Sequence, residues 1–366
     1  MKGLSVSSSP EQLNRLGLLR EDAKSMAKLT RQQLMELESR EKTPREKLID
    51  AVISLLPVLC GAGALLEYVL LPDADPNPMP HLYTGLLALA VTAYTVALLI
   101  GALRVKSGNK KIFQYLRYKA PLYAVLLLLL TAYDVATIKT GFLTYPLVPC
   151  VNSILCAAFT DRAILFTSTL HTLRLMFTGY FIGVALGLVT GITCGYSSKV
   201  RYWVNPIIKF LGPIPISTWI PIILVFTAGA LSFGAVFIIV IGVWFAVTVA
   251  SMTGVANVDK SYFDAAKILG ANERQLVFRV AIPHAMPSIL QGMTQGMSTA
   301  CTAIMVAEML GVKAGLGWYM TWVKSWALYN NMFASLIVVC IIFTLVTKAL
   351  ELIKKRVLRW QKGVVK

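Results

Sequence analysis

Long apolar stretches alternate with short polar segments along most of the chain. A hydrocarbon core of about 30 Å requires about 20 apolar residues in a helix, and eight stretches meet that need. They run approximately from Leu48 to Leu71, Leu82 to Leu103, Ala120 to Ile138, Ile164 to Cys194, Pro206 to Ala228, Phe233 to Thr253, Met286 to Leu310 and Met332 to Leu352. The pattern predicts an all-α membrane protein, a polytopic helical bundle with about eight transmembrane helices.

The polar segment between the sixth and seventh stretches predicts two short helices that meet at a glycine. One apolar face is formed at i, i+3, i+4, i+7 spacing by Tyr262, Ala265, Ala266 and Leu269. Gly270 is expected to end the first helix. Asn272 and Gln275 have the spacing of an N-cap and its capping-box partner, and Pro283 is expected to stop the second helix. Small residues at this elbow would let the groove of a partner protein close directly onto the backbone.

Composition agrees with a membrane location. Of the 366 residues, 56% are hydrophobic and only 14% are charged, and the mean hydropathy is +0.66. A chain this apolar cannot hide its surface within one soluble core.

The net charge of +17 could indicate a nucleic-acid partner, but the basic residues alternate by loop. The loop from Arg104 to Lys119 carries basic and no acidic residues, whereas the loop from Pro72 to His81 carries acidic residues and neither Lys nor Arg. This is the positive-inside asymmetry of a cell-membrane protein. It predicts that both termini and the two-helix elbow are cytoplasmic, and it favours contacts with lipid headgroups over nucleic acid.

Three regions are predicted along the chain. Residues 1–47 form a cytoplasmic helical lead-in, residues 48–118 form an N-terminal transmembrane hairpin with a basic loop, and residues 119–366 form the main bundle, with the elbow at 259–284. The first residues lack an apolar run, so no cleavable signal peptide is expected. Cys150 and Cys156 could form a disulfide or remain small buried thiols, and no cysteine has metal-ligand spacing.

Charged side chains inside apolar stretches are candidates for a solute pathway. Arg174 and the nearby His171 either face an anionic solute or lie at the membrane interface. Glu308, the one acid in the seventh stretch, either pairs with Arg174 or lines an outer gate.

Proline and tryptophan supply the remaining pathway candidates. Pro213 and Pro215 interrupt the fifth stretch, which is either a kinked structural helix or a segment that lines the pathway. Trp318, Trp322 and Trp326 recur every four residues, and this stripe is either an interfacial aromatic belt or a lid and docking surface.

No motif for hydrolysis occurs on the chain. The sequence contains no GxxxxGK[ST] phosphate loop and no HExxH, and its three histidines are scattered without ligand spacing. The chain is therefore not expected to be an enzyme, and its energy source is expected on a separate partner.

The elbow resembles the cytoplasmic coupling motif of binding-protein-dependent ABC transporter permeases. The residues that carry the resemblance are DAAKILGA from Asp264 to Ala271, followed by Ile282 and Pro283. Asp264 stands where the family usually has Glu, and Ile282 stands where Leu is common. The runs TLHTLRLMFTGYFIGVALGLVTG, PIIKFLGPIPISTWIPIILVFTAG and AEMLGVKAGLGW resemble the nitrate, sulfonate, taurine and bicarbonate permeases.

This resemblance implies a six-span permease core over residues 119–366 that moves a small, anionic solute. The residues it implies for contact with the ATPase are Asp264, Ala265, Ala266, Gly270, Ala271 and Pro283. The implied partners are a second permease copy or paralogue, two ATP-binding cassette subunits and an outer solute-binding protein. ATP and Mg²⁺ would be held by the ATPase, and no cofactor is expected on this chain.

Two other functions remain open from the residues alone. An ion-gradient secondary transporter or channel would use intramembrane acids such as Asp134 and Glu308 and would not need the elbow. A membrane scaffold would recruit its partners through the N-terminal helices.

Overall fold

The structure, a computed structural model, describes residues 44–73, 79–106, 111–143, 147–212, 214–227 and 230–363. Within these ranges every regular element is helical, as predicted. The helices are α1 (Pro44–Leu70), α2 (Pro80–Lys106), α3 (Lys111–Asp134), α4 (Val151–Thr160), α5 (Arg162–Tyr196), α6 (Ser198–Leu211), α7 (Ile216–Phe226), α8 (Leu231–Ala256), α9 (Lys260–Ile268), α10 (Glu273–Gln275), α11 (Ile282–Leu310), α12 (Leu316–Ser325) and α13 (Tyr329–Val357). Most of the predicted lead-in, residues 1–43, lies outside the described residues.

Six of the described helices are long and apolar enough to cross a membrane, or seven if one bent pair is a single span. The six are α1, α2, α3 with its π-helical extension Val135–Lys139, α5, α8 and α13. The predicted seventh span corresponds to α11, a continuous helix of 29 residues. Polar side chains along α11, among them Gln291 and Gln295, lower its hydropathy, so α11 is not one of the six.

The predicted fifth span, from Pro206 to Ala228, is not one continuous helix. Its residues form α6 and α7, which are bent by 89° at the break between them. Pro215 has φ −58° and ψ 136°, an extended conformation that cannot continue a helix. Proline also disfavours the helical conformation of the residue before it, which is Ile214 here. Pro213 lies outside the described residues.

The described chain divides into two compact units, and the first contains the described residues from 44 to 71 and from 84 to 132. Within this unit Arg117 pairs with Asp50 at 2.5 Å. The Tyr94 hydroxyl donates to the Ser54 carbonyl at 3.1 Å, and the Tyr94 ring meets the Tyr123 ring edge-on at 5.9 Å. The third apolar helix thus belongs largely to the same unit as the first two. The domain boundary between residues 118 and 119 stays a prediction.

The second unit, residues 72–83 and 133–366, is built around α5, α8 and α11. A stripe of glycines on α5 contacts α8 along most of its length, with one glycine per turn: Gly179, Gly183, Gly187, Gly191 and Gly195. A Cβ on Gly187 would lie 2.7 Å from the Cβ of Val247 and 3.1 Å from the Trp244 carbonyl oxygen. Small residues in this spacing allow the backbones of two membrane helices to approach closely.

The neighbouring face of α8 packs against α11 through small residues. A Cβ on Gly292 would lie 2.4 Å from the Cβ of Ala250, and one on Gly254 would lie 2.8 Å from the Cβ of Ser288. Helix α8 therefore packs against both α5 and α11, and it carries the fully buried Ile239, Val243 and Val247 of the core.

The cysteines described in this unit are free thiols. Cys150 and Cys156 are not joined, and the Cys150 sulfur lies 3.0 Å from the Ser153 hydroxyl.

We expect Gly187→Leu to destabilise the α5–α8 pair strongly. The new side chain would overlap Val247, and overpacking of this kind costs about 1–3 kcal/mol or more when the backbones cannot separate. Thermal unfolding of the purified full chain in detergent measures the effect as a lowered midpoint. Ala185→Leu is the matched control, because Ala185 lies two residues away on the exposed side of the same helix. Equal midpoints for the two variants would contradict the close contact.

Candidate functional site

The two-helix elbow forms as the sequence predicts around Gly270. Asp259 is the N-cap of helix α9, and its carboxylate accepts the Ser261 N–H at 3.0 Å, a hydrogen bond that lowers the pKa of Asp259. The helix ends in a Schellman turn, in which the Gly270 N–H donates to Lys267 O at 2.9 Å and the Ala271 N–H donates to Ala266 O at 3.0 Å. Gly270 has φ +84°, a left-handed conformation that favours glycine.

The next turn is fixed by the predicted capping box. Asn272 Oδ1 accepts the Gln275 N–H and Gln275 Oε1 accepts the Asn272 N–H, both at 2.9 Å. Two motifs that satisfy backbone groups thus follow one another at the elbow, which fixes the angle between its arms.

The prediction that Pro283 stops the second helix is wrong. The chain remains helical through the short α10, a π-helical segment Leu276–Ala281, and then α11. Pro283 stands in the first turn of α11, directly after the π-helical segment, and the helical path continues through it. The second arm of the elbow therefore runs directly into a long helix of the bundle.

The first arm exposes its apolar face. None of the residues of α9 is buried, and Ile268 and Leu269 are each 87% exposed. Of the residues predicted to share the face with Leu269, Tyr262 and Ala265 are exposed and Ala266 is partly exposed. Asp264 is exposed beside them, Ala271 is partly exposed, and the space around a Cβ at Gly270 is empty. The tip of the elbow, defined as Ile268 to Gly270, therefore has no cover within the described chain.

The base of the elbow, in contrast, is anchored in the bundle. Leu276 is 1% exposed, and Phe263 packs against the buried cluster that contains Val255 and Ala285. The Phe263 ring also meets the Tyr196 ring edge-on at 6.0 Å, and the Tyr196 hydroxyl donates to the Glu273 carboxylate. Movement of the tip would therefore be transmitted to the end of α5 and to α11.

At the other end of α11, Glu308 is almost completely buried, with 1% of its surface exposed. Its carboxylate accepts hydrogen bonds from the Thr172 hydroxyl at 2.9 and 3.0 Å and from the Gly317 N–H at 2.9 Å. The Thr172 hydroxyl in turn accepts the Leu316 N–H at 2.9 Å. A Cβ at Gly315, which has φ +107°, would lie 2.1 Å from Glu308 Oε1. These contacts fasten the start of α12 to α5 and α11.

Of the other pathway candidates, His171 lies near Glu308 and Arg174 does not contact it. His171 is partly exposed, and its Nδ1 lies 4.0 Å from Glu308 Oε1. Arg174 is exposed, and Glu308 accepts hydrogen bonds from Thr172 and Gly317 instead.

The aromatic stripe is partly covered. Trp318 stacks on Trp322 with ring centroids 6.1 Å apart, and Trp326 follows the last turn of α12. Trp318 packs against the cluster of Leu316, Tyr319 and Val323, so one end of the stripe belongs to the packing of the bundle.

A cleft of about 570 Å³ lies beside the core, at the bend between α6 and α7. Its wall is apolar except for one stripe on α11, formed by Gln291, Gln295 and Thr299. Pro215 lines this cleft, whereas His171, Arg174, Glu308 and Trp318 do not. The residues that line it are Leu211, Gly212, Ile214, Pro215, Ile216, Trp219, Ile241, Gly242, Phe245, Ala246, Val249, Ala250, Gln291, Gly292, Gln295 and Thr299.

Sequence reasoning missed the polar stripe of this cleft. Its signal was present, because Gln291, Gln295 and Thr299 recur every four residues within an apolar helix. All three side chains are uncharged, whereas the pathway candidates in the apolar stretches were selected mainly by their charge. Among the residues that the structure describes, no three His, Cys, Asp or Glu side chains come together in a way that could hold a metal ion.

Comparison with known proteins identifies the C-terminal half. Residues 183–362 match the family described as binding-protein-dependent transport system inner membrane component. These residues therefore carry an ABC transporter permease domain.

Individual relatives match over shorter parts. The chain is 32% identical to a putative ABC transporter permease protein of Methanocaldococcus jannaschii, over 32% of this chain and 44% of the relative. It is 26% identical to a putative aliphatic sulfonates transport permease protein of Bacillus subtilis, over 50% of this chain and 66% of the relative. It is 30% identical to a taurine transport system permease protein of Escherichia coli, over 29% of this chain and 38% of the relative. The matched segments thus span less than two thirds of these relatives.

We expect Thr172→Val to loosen α12 from the bundle. The variant keeps the shape of the side chain but removes the Thr172 hydrogen bond to the Glu308 carboxylate and leaves the buried Leu316 N–H without a partner, at a cost of about 1–3 kcal/mol for the unsatisfied N–H. The midpoint of thermal unfolding in detergent measures this loss. Thr178→Val is the control, because Thr178 is exposed on the same helix and bonds only to its own backbone at Arg174. A Thr172 variant as stable as the Thr178 variant would show that the Glu308 contacts carry no stability.

Proposed function

We propose that this chain is the membrane-spanning subunit of an ATP-driven importer and that the elbow is its contact with a separate ATPase. The observation that carries the proposal is that the tip of the elbow exposes apolar side chains while its base is buried in the bundle. Ile268 and Leu269 are 87% exposed, while Leu276, at the start of the second arm, is 1% exposed. The match of residues 183–362 to inner membrane components of binding-protein-dependent transport systems supports the same function.

A bare apolar tip favours a protein partner. Burying one leucine or isoleucine side chain stabilises a complex by about 1.5–3 kcal/mol, so the tip offers a substantial gain to a groove that fits it. The empty space around Gly270 would let that groove approach the backbone itself. Asp264 adds one exposed carboxylate that a basic or polar residue of the groove could bind.

The rigid base explains how binding energy could become motion. Because the Schellman turn and the capping box fix the elbow, a force on the tip moves its arms as one body. The second arm continues into α11, and the first packs through Phe263 on the cluster that joins α8 to α11. Closure of two ATPase subunits would then tilt these helices and change which side of the membrane the bundle opens to, a rocking transition of domains.

The proposed assembly has two membrane subunits, either two copies of this chain or this chain and a paralogue. Two ATP-binding cassette subunits would bind the elbows inside the cell, hold ATP and Mg²⁺ and carry out the hydrolysis. A solute-binding protein would deliver the solute on the outer side. Both termini of this chain would be cytoplasmic, as the distribution of basic loops predicts.

The proposed solute is small and anionic, of the nitrate, sulfonate, taurine or bicarbonate type. Support comes from relatives that are named for transport of aliphatic sulfonates, bicarbonate and taurine. The cleft of about 570 Å³ beside α11 is large enough for a solute of this size.

We expect Leu269→Asp to abolish binding of the ATPase without unfolding the chain. The leucine has 87% of its surface exposed, so the bundle does not depend on it, but a carboxylate there would oppose burial in an apolar groove. The measurement is the amount of ATP-binding subunit that copurifies with the full chain when both are coexpressed, together with ATP-dependent uptake in vesicles.

Phe278→Asp is the matched control. Phe278 is 69% exposed in the same segment but lies in the second arm and not at the tip. Copurification and uptake should survive in this control and be lost in the Leu269 variant. If the Leu269 variant retained both, the elbow would not be the contact.

A further inference from the structure

The cleft beside α11 carries no charge on its own wall. None of the residues that line it is Asp, Glu, Lys or Arg. An anion that entered it would find apolar side chains, two aromatic rings at Trp219 and Phe245, and the polar stripe of α11. Transfer of an uncompensated anion into such surroundings costs free energy. A cleft that binds an anion therefore needs a cation close to its wall.

One cation meets this need. Lys354, in the last turn of α13, donates a hydrogen bond from its ammonium group to Gln291 Oε1. Gln291 is itself part of the wall of the cleft. The charge of Lys354 is therefore placed one hydrogen bond from the cleft, at the end of the polar stripe.

This hydrogen bond also determines what the stripe offers. Because the ammonium occupies the carbonyl oxygen of the Gln291 side chain, the amide nitrogen with its two N–H donors is left for a ligand. Gln295 adds a second amide one turn further along, and the stripe from Gln291 to Thr299 extends for about 12 Å. An ammonium group followed by amide donors is suited to an anion with several acceptor oxygens.

We propose that Lys354, Gln291 and Gln295 form a contact site for a small oxyanion, such as a sulfonate or carboxylate group, in this cleft. The site rests on the proposed transport function, which it deepens by assigning selectivity for charge to Lys354. Lys354 acts as the charged end of the site, and Gln291 positions it against the cleft.

The test uses a thiol introduced into the cleft by Gln295→Cys in the full chain, reconstituted in phosphatidylcholine vesicles. Two methanethiosulfonate reagents of similar size are compared, one with a sulfonate and one with a trimethylammonium group. Mass spectrometry of the peptide that contains position 295 gives the rate of modification there, apart from the native cysteines. Each rate is divided by the rate at which the same reagent modifies a free thiol in solution. We expect this normalised rate to be higher for the sulfonate reagent than for the trimethylammonium reagent.

The charge of Lys354 is then removed by Lys354→Gln. We expect the ratio of the sulfonate rate to the trimethylammonium rate to fall about 5- to 10-fold, the size expected for one nearby charge acting oppositely on two ions in a partly solvated cleft. Lys354→Arg should keep most of the ratio. Lys355→Gln is the matched control, because Lys355 is the next residue of the same helix and no hydrogen bond joins it to the cleft wall within the described residues.

Three results would overturn the site. They are an unchanged ratio in the Lys354→Gln variant, an equal fall in the Lys355→Gln variant, and a ratio that disappears when phosphatidylglycerol is added to the vesicles. The last result would assign Lys354 to an anionic lipid headgroup in place of a solute. The labelling experiment does not involve an ATPase. Its outcome is therefore independent of whether the elbow binds the ATPase, and a negative labelling result would not contradict the proposed role of the elbow.

Discussion

The close approach of α5 and α8 is the contact on which the second unit depends. Every fourth residue from Gly179 to Gly195 is a glycine, and each lies against the side chain or backbone of α8 so closely that a Cβ would overlap it. In a membrane, apolar side chains gain little by leaving lipid, so helices associate by packing their atoms closely and not by the hydrophobic effect. The glycine stripe supplies that packing, and the β-branched Ile239, Val243 and Val247 fill the space that the glycines leave.

Helix α11 packs on α8 beside α5 and joins both candidate functional regions. Its first turn continues from the elbow, and its last turn carries Glu308, which fastens α12. Over its 29 residues α11 spans about 44 Å. A tilt that begins at the elbow would therefore reach the Glu308 contacts at the other end, while the polar stripe of the cleft lies between the two. One helix thus connects the proposed ATPase contact, the proposed solute contact and the fastening of α12.

Much of the local structure could be predicted from the sequence. The elbow is determined by short-range hydrogen bonds: Gly270 permits a left-handed turn, and the amide side chains of Asn272 and Gln275 complete a capping box within four residues. The apolar lengths predicted most of the spans for the same reason, since each helix satisfies its own backbone groups. Pro283 does not stop the second helix because the π-helical segment before it leads directly into α11, and the sequence gives no local sign of that segment.

The sequence by itself determined that this is an all-α membrane protein, where most of its helices lie, and how the elbow turns. Only the tertiary structure decided which side chains meet: that Glu308 contacts Thr172 and Gly317 and not Arg174, that the proline-rich stretch bends beside a cleft, and that Lys354 reaches Gln291. The physical reason is the range of the interactions. Helices and caps arise between residues up to four positions apart, whereas the Thr172–Glu308 and Gln291–Lys354 contacts join residues 136 and 63 positions apart. Those contacts form only when the helices pack against one another.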